Sequence, residues 1–386
     1  MADSSAMGNS KQRLVASVLV DGRIGGPQRR AVQVGTVLRQ KGWDTLPIFP
    51  PMGSELPDYL AAHGFRSATL SLSRLRRRGK IASILRYLLC FPIEVWGLMQ
   101  LFRKNRVDLV HANSLFAFQA VVAARLAGRP VVWHFNDMAL PRNFCVFVTK
   151  FLAPLATMRV YSSRNVQAFH RDYNKEVTAL LCPPVDLDRF KPSGELRKRE
   201  SELRLIVVGN VNPLKGYHDL ISALGTLGDL GVPWRLDIAG AKLETAMDYY
   251  SELEAAIRRY GLEKRIAFLG AVDNVAALLP SYDIFIMCSR SESGPMVLLE
   301  AMACALPPVA TDVGFVRDVV ADGENGLIVP PDNSPALAAA IRRMIEDTVF
   351  RQQVAAKVRD AITPPYTVAG AAAAHANVYR RVMRRY

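Results

Sequence analysis

The segment best suited to chemistry covers residues 289–310 and reads SRSESGPMVLLEAMACALPPVA. It begins at the end of the apolar run IFIMCS, which predicts a buried strand, and it contains MVLLEAMA, a run of good helix formers. A proline suits the first turn of a helix, so Pro295 predicts a helix that begins beside Gly294. The N–H groups of Met296 and Val297 are then expected to be free and, together with the helix dipole, to form an anion site.

Two carboxylates flank this predicted anion site. Glu292 precedes the helix, and Glu300 lies within it. A carboxylate can accept hydrogen bonds from two hydroxyl groups of a ribose, and a second carboxylate can orient a sugar ring. On their own, two glutamates in this pattern are more often a loop charge and a solvated helix residue, because charged helix positions are common.

A lysine is predicted at the end of another strand, in the segment RLIVVGNVNPLKGYHDLISAL of residues 204–224. The apolar run ends at Gly209 and Asn210, a turn that contains a proline follows, and Lys215 precedes the next helical run. An ammonium group at this position can neutralise a diphosphate leaving group, although an ordinary surface lysine has the same pattern.

A glycine-containing turn follows the first predicted strand, in VLVDGRIGGPQRRAVQVG. Gly25 and Gly26 allow a ligand to approach the backbone closely, and Arg29 and Arg30 lie in the first turn of the next helix. The glycine spacing G-x-G-x-x-G of dinucleotide-binding proteins is absent from this sequence. A tight turn with two solvated arginines is the alternative interpretation.

Histidines and aspartates are weaker candidates. His134 lies near the end of the apolar run PVVWHF, which predicts an imidazole at the carboxyl end of a strand, and His111 has the same geometry. Asp186 and Asp188 have the Asp-x-Asp form of a metal site, but the phenylalanine and proline beside them favour a local turn. The six histidines include no pair at ligand spacing on one helix, so no metal ion and no other cofactor is expected.

These candidates must be positioned by short apolar strands that alternate with helices through both halves of the chain. Seven strands are predicted before residue 182 and six after residue 202. The pattern predicts an α/β protein with two doubly wound, Rossmann-like domains, residues 1–182 and 203–364, that face a central cleft lined by the carboxyl ends of the strands. Residues 183–202 contain three prolines and many charges, which predicts a linker.

The composition is typical of a folded protein from a reducing compartment. Half of the residues are hydrophobic, and the five cysteines include no Cys-x-x-Cys pair, which excludes a disulfide framework. No signal peptide is visible, so a cytoplasmic location is expected. The net charge of +14 lies in one half of the chain: residues 1–190 carry 26 Lys and Arg against 12 Asp and Glu, and residues 191–386 carry 23 of each. The first half is therefore expected to meet an anionic partner.

Taken in order, these segments resemble the family 4 glycosyltransferases, which are retaining enzymes with the GT-B fold. The resemblance covers nearly the whole chain and is carried most specifically by VVGNVNPLKG, ESGPMVLLEAMA and VGFVRDVVADGENGLIVPP. It implies that Glu300 binds the ribose of the donor, that Glu292 binds the transferred sugar and that Lys215 binds the diphosphate. It also implies that His134 lies near the sugar and that residues 365–386 form a terminal helix returning to the first domain.

The resemblance assigns the remaining candidates as well. On this basis the donor-binding residues are Glu300, Gly209, Asn210, Gly294, Met296 and Val297, and the residues of an acceptor or phosphate loop are Gly25, Gly26 and Arg29. The chain departs from the family at Asn210, where an arginine is usual, so that one positive charge near the diphosphate is missing.

The implied function is the transfer of a sugar, with retention, from a nucleoside-diphosphate sugar to a hydroxyl group of a glycan or lipid-linked acceptor. Such a reaction belongs to the synthesis of a polysaccharide, a glycolipid or a cell-envelope glycan. The leaving diphosphate is expected to help deprotonate the acceptor, so that no protein nucleophile is needed. Two alternatives stay open: a nucleotide-sugar 2-epimerase, and a catalytically silent subunit that binds a sugar nucleotide.

A basic segment followed by an apolar one predicts contact with a membrane surface. Residues 74–80, RLRRRGK, carry five basic groups and precede IASILRYLLCFPIEVWGLMQLF. Arg86, Pro92 and Glu94 interrupt the apolar run, which therefore predicts helix and not a transmembrane span. Basic groups beside apolar ones attract an anionic bilayer, so peripheral attachment to the cytoplasmic membrane face is expected, with packing of this helix into a core as the alternative. Nucleic acid is not expected, because no aromatic residues interleave with the basic run.

Overall fold

The structure is a computed structural model that describes residues 12–51, 55–73, 81–136, 138, 140–193, 202–292 and 294–386. The chain divides into two compact units, Met1–Pro184 with Val368–Tyr386, and Val185–Thr367. Each unit is built on one parallel sheet, and the described residues form seven strands in the first sheet and six in the second. The predicted strand number and fold class are therefore confirmed.

The first unit has a parallel sheet in which β1 lies beside both β2 and β4, so that the switch point of the sheet lies between β1 and β4. The strands, in the spatial order β3-β2-β1-β4-β5-β6-β7, are β1 (Arg13–Val18), β2 (Trp43–Phe49), β3 (Ala68–Thr69), β4 (Leu109–Asn113), β5 (Val131–Phe135), β6 (Met158–Tyr161) and β7 (Thr178–Leu180). The helices are α1 (Gly26–Gln40), α2 (Glu55–Ala62), α3 (Ile81–Lys104), α4 (Phe118–Leu126), α5 (Arg142–Phe151) and α6 (Arg164–His170).

The second unit repeats this plan, with β8 between β9 and β11. Its strands, in the order β10-β9-β8-β11-β12-β13, are β8 (Leu203–Val208), β9 (Trp234–Ala239), β10 (Ile266–Gly270), β11 (Ile284–Met287), β12 (Pro308–Thr311) and β13 (Leu327–Val329). Its helices are α7 (Tyr217–Gly225), α8 (Met247–Arg259), α9 (Val275–Leu278), α10 (Met296–Ala303), α11 (Val316–Val319), α12 (Ser334–Glu346) and α13 (Thr348–Val358). The strands are mostly apolar because helices cover the sheet, and the charged exceptions are Arg204 in β8 and Arg235 and Asp237 in β9.

The last helix, α14 (Val368–Arg385), belongs to the first unit. It packs against α1 and buries a row of small residues, including Ala372 and Ala376, in the same apolar cluster as Val34. Small side chains allow the two helices to approach closely. Tyr379 adds an edge-on ring contact with Trp43, with 5.3 Å between the ring centroids.

Part of the predicted linker, residues 183–202, packs within the second unit. Val185 and Phe190 are buried, and the guanidinium group of Arg359 donates to the carbonyl groups of Leu187 at 3.0 Å and Phe190 at 2.9 Å. Two apolar side chains and a shared arginine donor thus hold this stretch to the unit, whereas residues 194–201 lie outside the described part of the chain.

Helix α3 is one continuous helix with Pro92 inside it. Its Leu85–Lys104 portion is, by length and composition, apolar enough to cross a bilayer. One face packs into the core of the unit, where Leu98 is buried, and the opposite face exposes Leu89 and Ile93 to solvent. The alternative prediction, that this helix packs into a core, therefore holds for one of its two faces. The basic run of residues 74–80 lies outside the described residues.

Candidate functional site

Lys215 and Glu292 meet at the carboxyl edge of the second sheet. They are 77 positions apart in sequence, yet Lys215 Nζ lies 2.6 Å from Glu292 Oε1. They meet because β8 and β11 are neighbouring parallel strands whose carboxyl ends lie side by side. The side chains are 25% and 18% exposed, so the ion pair is largely shielded but open to a ligand. The predicted ammonium group and one predicted carboxylate thus share one site.

Two glycines set the position of Lys215. A Cβ on Gly209 would lie 2.9 Å from Lys215 Cε, so the lysine stem lies directly on this glycine. Gly216 has φ of +68°, and a Cβ there would lie 2.0 Å from the carbonyl oxygen of Cys288. The turn between them is closed by Asn212, whose side chain accepts the N–H of Leu214 at 3.0 Å. The approach at Gly216 is to backbone and requires glycine, whereas a side chain at Gly209 would displace the flexible end of Lys215.

Glu292 is held by the loop that follows β11. Its Oε1 accepts a hydrogen bond from Ser289 Oγ at 3.0 Å, and Thr311 Oγ1 donates to the carbonyl group of Ser289 at 2.6 Å. The N–H of Arg290 donates to the carbonyl group of Leu214 at 2.9 Å, which fastens this loop to the lysine turn. The two loops therefore form one hydrogen-bonded unit, and the ion pair is positioned before any ligand binds.

The start of α10 differs from the sequence-based prediction. The helix begins at Met296, and Pro295 stands directly before it. The N–H of Met296 donates to the carbonyl group of Gly294 at 2.8 Å, so the prediction that this N–H is free is wrong. A tight turn at Gly294 uses the donor before the helix begins. The N–H of Val297 has no acceptor among the described residues, and it remains the candidate anion donor of this helix start.

Glu300 and Asn210 lie on the same unit. Glu300 is in the second turn of α10 and is half-buried. Asn210 Oδ1 accepts the N–H of Ala241 at 3.3 Å, and the Asn210 carbonyl accepts from Asn212 Nδ2 at 3.0 Å. Asn210 thus shapes the turn with its amide and contributes no positive charge.

The thiols near this site are not nucleophiles. Burial raises the pKa of Cys288 to about 12, and it raises the pKa of Cys304 to about 12. Both remain protonated at neutral pH, and the thiolate is the reactive form. The site can therefore bind an anion and hydroxyl groups, and these two thiols offer it no covalent chemistry.

The glycine turn of the first unit places its two arginines differently. Gly25 caps α1, and the N–H of Arg29 donates to the Gly25 carbonyl at 3.0 Å while its side chain is exposed. Arg30 is buried, and its Nη2 lies 3.3 Å from Asn113 Oδ1. The interpretation of both arginines as solvated is wrong for Arg30, because it shares the buried face of α1 with Leu38. Residues eight positions apart lie on the same side of a helix, so the spacing of Arg30 and Leu38 in the sequence already indicated a buried Arg30.

His134 is also placed differently from the expectation of an accessible imidazole. It is fully buried, and its Nδ1 lies 3.2 Å from Nε2 of His111, whose Nδ1 lies 2.8 Å from the hydroxyl group of Tyr379. Burial, reinforced by the charge of Arg30, lowers the pKa of His134 well below its ordinary value, so the ring is neutral. The strand end is covered by α14, which the sequence of β5 does not reveal.

The Asp-x-Asp sequence of the linker is a turn. Asp186 Oδ1 accepts the N–H groups of Asp188 at 3.0 Å and Arg189 at 3.1 Å, which is the local role predicted for it. Within the described ranges, no three histidine, cysteine or acidic side chains are grouped as metal ligands.

Comparisons with known proteins agree over most of the chain. Residues 24–189 match the family model described as Glycosyltransferase Family 4, and residues 188–361 match the one described as Glycosyl transferases group 1. A glycogen synthase of Mycobacterium tuberculosis is 27% identical over 298 residues, which cover 73% of this chain and 70% of that protein. A D-inositol 3-phosphate glycosyltransferase of Jonesia denitrificans is 27% identical over 65% of this chain and 66% of its own length.

A solved structure shares the architecture of the whole chain. The crystal structure of Anabaena HepE in complex with UDP and glucose has a TM-score of 0.79 and 23% sequence identity, and the match covers 95% of this chain and 99% of that one. At this identity the likeness concerns the fold, which is GT-B.

Proposed function

The chain belongs to the glycosyltransferases of group 1 and family 4, and from this premise we propose that it transfers a sugar from a nucleoside-diphosphate sugar to a hydroxyl acceptor with retention of configuration. The observation that carries the proposal is the contact of 2.6 Å between Lys215 and Glu292 at the carboxyl edge of the second sheet. This edge is where open α/β sheets bind their ligands. The contact supports the proposal because it joins an ammonium group, which suits a diphosphate, to a carboxylate, which suits a sugar hydroxyl.

In the proposed complex, Lys215 and the N–H of Val297 bind the diphosphate, Glu292 binds hydroxyl groups of the transferred sugar, and Glu300 binds the ribose. Lys215 is the stronger of the two anion donors because it carries a full charge. UDP is the first nucleotide to test, because HepE, which shares the fold, was crystallised with UDP and with UDP-glucose. Asn210 leaves the diphosphate with one cation fewer than the family pattern provides.

The proposed reaction takes place on one face of the sugar. As the bond to the diphosphate breaks, the leaving oxygen gains negative charge, and Lys215 is positioned to stabilise it. The same oxygen accepts the proton of the acceptor hydroxyl, so that the new bond forms on the face from which the diphosphate departs. No step needs a protein nucleophile, and the protonated thiols of Cys288 and Cys304 fit this scheme. The scheme assigns no step to His134, whose ring is fully buried.

We propose that the first unit binds the acceptor, with Gly25, Gly26 and Arg29 at its turn, and that it attaches the protein to an anionic membrane surface. Support for attachment comes from α3, whose outer face exposes Ile93 at 71% and Trp96 at 62%. An exposed apolar stripe of this kind inserts into the headgroup region of a bilayer, and basic residues strengthen the attraction.

Sedimentation with vesicles of phosphatidylglycerol and phosphatidylcholine tests attachment. We expect the protein to pellet with the vesicles at low salt and to be released at high salt. The double variant Ile93→Ser with Trp96→Ser should bind much less, whereas Leu126→Ser, which changes a similarly exposed residue on α4, should bind as the natural chain does. Binding that is equal in all three proteins would refute attachment through α3.

A panel of nucleotide sugars, followed by mass spectrometry, tests the reaction. A transferase releases the nucleoside diphosphate when an acceptor is present, and the acceptor gains the mass of the sugar. A 2-epimerase changes the donor without modifying an acceptor, and a silent subunit changes neither molecule. Conversion of the donor with no sugar found on any acceptor would contradict the proposal.

A further inference from the structure

An apolar cavity of about 400 Å³ lies in the first unit, away from the glycine turn. It is bounded by residues of α3, α4, β5 and α5 and by the loop after β4. The aromatic and aliphatic side chains that define it include Tyr87, Phe116, Phe118, Trp133, Phe144 and Val148. Its volume is in the range of small-molecule sites, about 300–1,000 Å³.

The walls offer almost no hydrogen-bonding groups. Among the described residues that line the cavity, Tyr87 and Trp133 carry the only polar side-chain atoms. Trp133 Nε1 already donates to the carbonyl group of Ser114 at 3.0 Å. A peptide or a sugar in this cavity would leave its own polar groups without partners, which costs several kcal/mol in an apolar site. The cavity therefore selects a hydrocarbon.

The cavity reaches the surface between α3 and α5. Phe144 lines the cavity and is 44% exposed, and its neighbour on the same helix face, Phe147, is 50% exposed. On α3, Leu88 follows the cavity residue Tyr87 and is 59% exposed. Both helices beside the cavity thus expose apolar side chains, and those of α3 continue along its outer face.

Two exposed basic residues are chain neighbours of cavity residues: Arg86 of α3 precedes Tyr87, and Arg142 of α5 follows Pro141. The one acidic residue of these helices, Glu94, is buried and accepts hydrogen bonds from the N–H of Ser73 and from Gln119. An amphiphile that enters the cavity therefore meets positive charge at its head, which favours a phosphate group.

We propose that this cavity binds the hydrocarbon chain of a phosphate-bearing lipid, which serves as the acceptor. The proposal rests on the proposed function, since it names the class of acceptor for that reaction. Taking roughly 30 Å³ for each methylene, a liquid-state volume that already includes the free space between molecules, the cavity of about 400 Å³ has room for a chain of roughly 13 carbon atoms. Longer chains extend along the exposed face of α3.

Quenching of tryptophan fluorescence by 10-bromodecyl phosphate, kept below its micelle concentration, tests the proposal. Trp133 lies in the cavity wall, and Trp96 lies on the exposed face of α3. We expect quenching that saturates in the natural chain, persists in Trp96→Phe and disappears in Trp133→Phe. Quenching that disappears in Trp96→Phe and persists in Trp133→Phe would show surface adsorption and overturn the proposal, as would the absence of quenching.

A chain-length series supplies a second readout that needs no tryptophan variant. With unbrominated alkyl phosphates as competitors, affinity should rise about fourfold for each added methylene and level off near roughly 13 carbons. Val148→Phe fills the volume of about two methylenes and should weaken the binding of tridecyl phosphate about 15-fold. Leu126→Ser, outside the cavity, should not change it. Affinity that rises without levelling off, or that Val148→Phe leaves unchanged, would overturn the proposal.

Calorimetry with UDP, performed on the same proteins, reports the donor site of the second unit. If the protein binds UDP and transfers sugar but shows no quenching, the proposed function stands and only the lipid site is refuted. A chain that binds decyl phosphate in the cavity but transfers no sugar has the lipid site without the proposed function.

Discussion

Replacing Glu292 with glutamine should change nucleotide binding and sugar transfer in opposite directions. Without a ligand, Lys215 Nζ donates to Glu292 Oε1 at 2.6 Å, and this contact competes with a diphosphate for the same ammonium group. The carboxylate also repels the phosphate oxygens. The variant removes the negative charge, which weakens the contact with Lys215 and abolishes the repulsion, while the side chain keeps its size and one acceptor oxygen.

The burial of the pair sets the magnitude. Exposed ion pairs are worth about 0.2–1 kcal/mol, and hydrogen bonds to charged groups are worth about 1.5–3 kcal/mol. With side chains 25% and 18% exposed, the pair lies between these limits. A gain of about 1.4 kcal/mol for a nucleotide that no longer competes with the carboxylate corresponds to about tenfold tighter binding.

Isothermal titration with UDP is the suitable assay, because UDP has no sugar for Glu292 to bind. We expect UDP to bind about tenfold more tightly to Glu292→Gln, while sugar transfer by this variant falls because a sugar contact is lost. Asp332→Asn is the matched control, since it breaks a nearby ion pair of 2.8 Å with Arg290 on the surface and should leave UDP affinity unchanged. Equal or weaker binding of UDP by Glu292→Gln would refute competition for Lys215.

The remaining predictions concern both units. Lys215→Ala should lower turnover about 100-fold and UDP affinity much less, because the charge it stabilises grows as the bond breaks; equal losses in both would assign it to ground-state binding. Glu300→Ala should weaken UDP binding by about 2 kcal/mol, because ribose hydroxyls lose their acceptor, and an unchanged titration would remove Glu300 from the ribose site. Chelators should leave transfer unchanged, whereas a loss with EDTA that magnesium or manganese restores would show a metal requirement. Burial lowers the pKa of His375 to about 4, below the ordinary value of about 6.5. The neutral ring therefore contributes about 3 kcal/mol to the free energy of unfolding. This contribution is complete above pH ~6.5 and is lost as the pH falls toward ~4. Urea unfolding across this range checks it: His375→Gln should lose less stability on acidification, and an identical loss would contradict the assignment.

The alternation of apolar runs and helices was sufficient to predict the two parallel sheets. Most of the described strands are largely apolar runs bounded by polar or glycine-containing turns, as β8 before Gly209 illustrates. Lys215 and Glu292 could be placed at strand ends for the same reason. Their contact could not be predicted, because the order in which parallel strands pair is decided by packing across the whole sheet.

The errors have local and tertiary causes. The turn at Gly294 consumes the N–H of Met296, which no helix propensity reveals. His134 was expected at an accessible strand end, but α14, which begins more than 200 residues later, covers it. Arg30 was predicted to be solvated although its helical spacing with Leu38 indicated a buried face. Buried arginines are rare, so the charge outweighed the spacing in the prediction.

The central claim is that this chain moves a sugar from a nucleotide to an acceptor with retention, and proton NMR of the anomeric region tests it most directly. The acceptor is a membrane lipid extract, and the donor is the nucleotide sugar that the panel identifies. We predict that the anomeric signal of an α-linked donor disappears while an α-linked product signal and free nucleoside diphosphate appear, and that Lys215→Ala slows all three changes together. A β-linked product, or a donor that stays unchanged with every nucleotide sugar tested, would contradict this account.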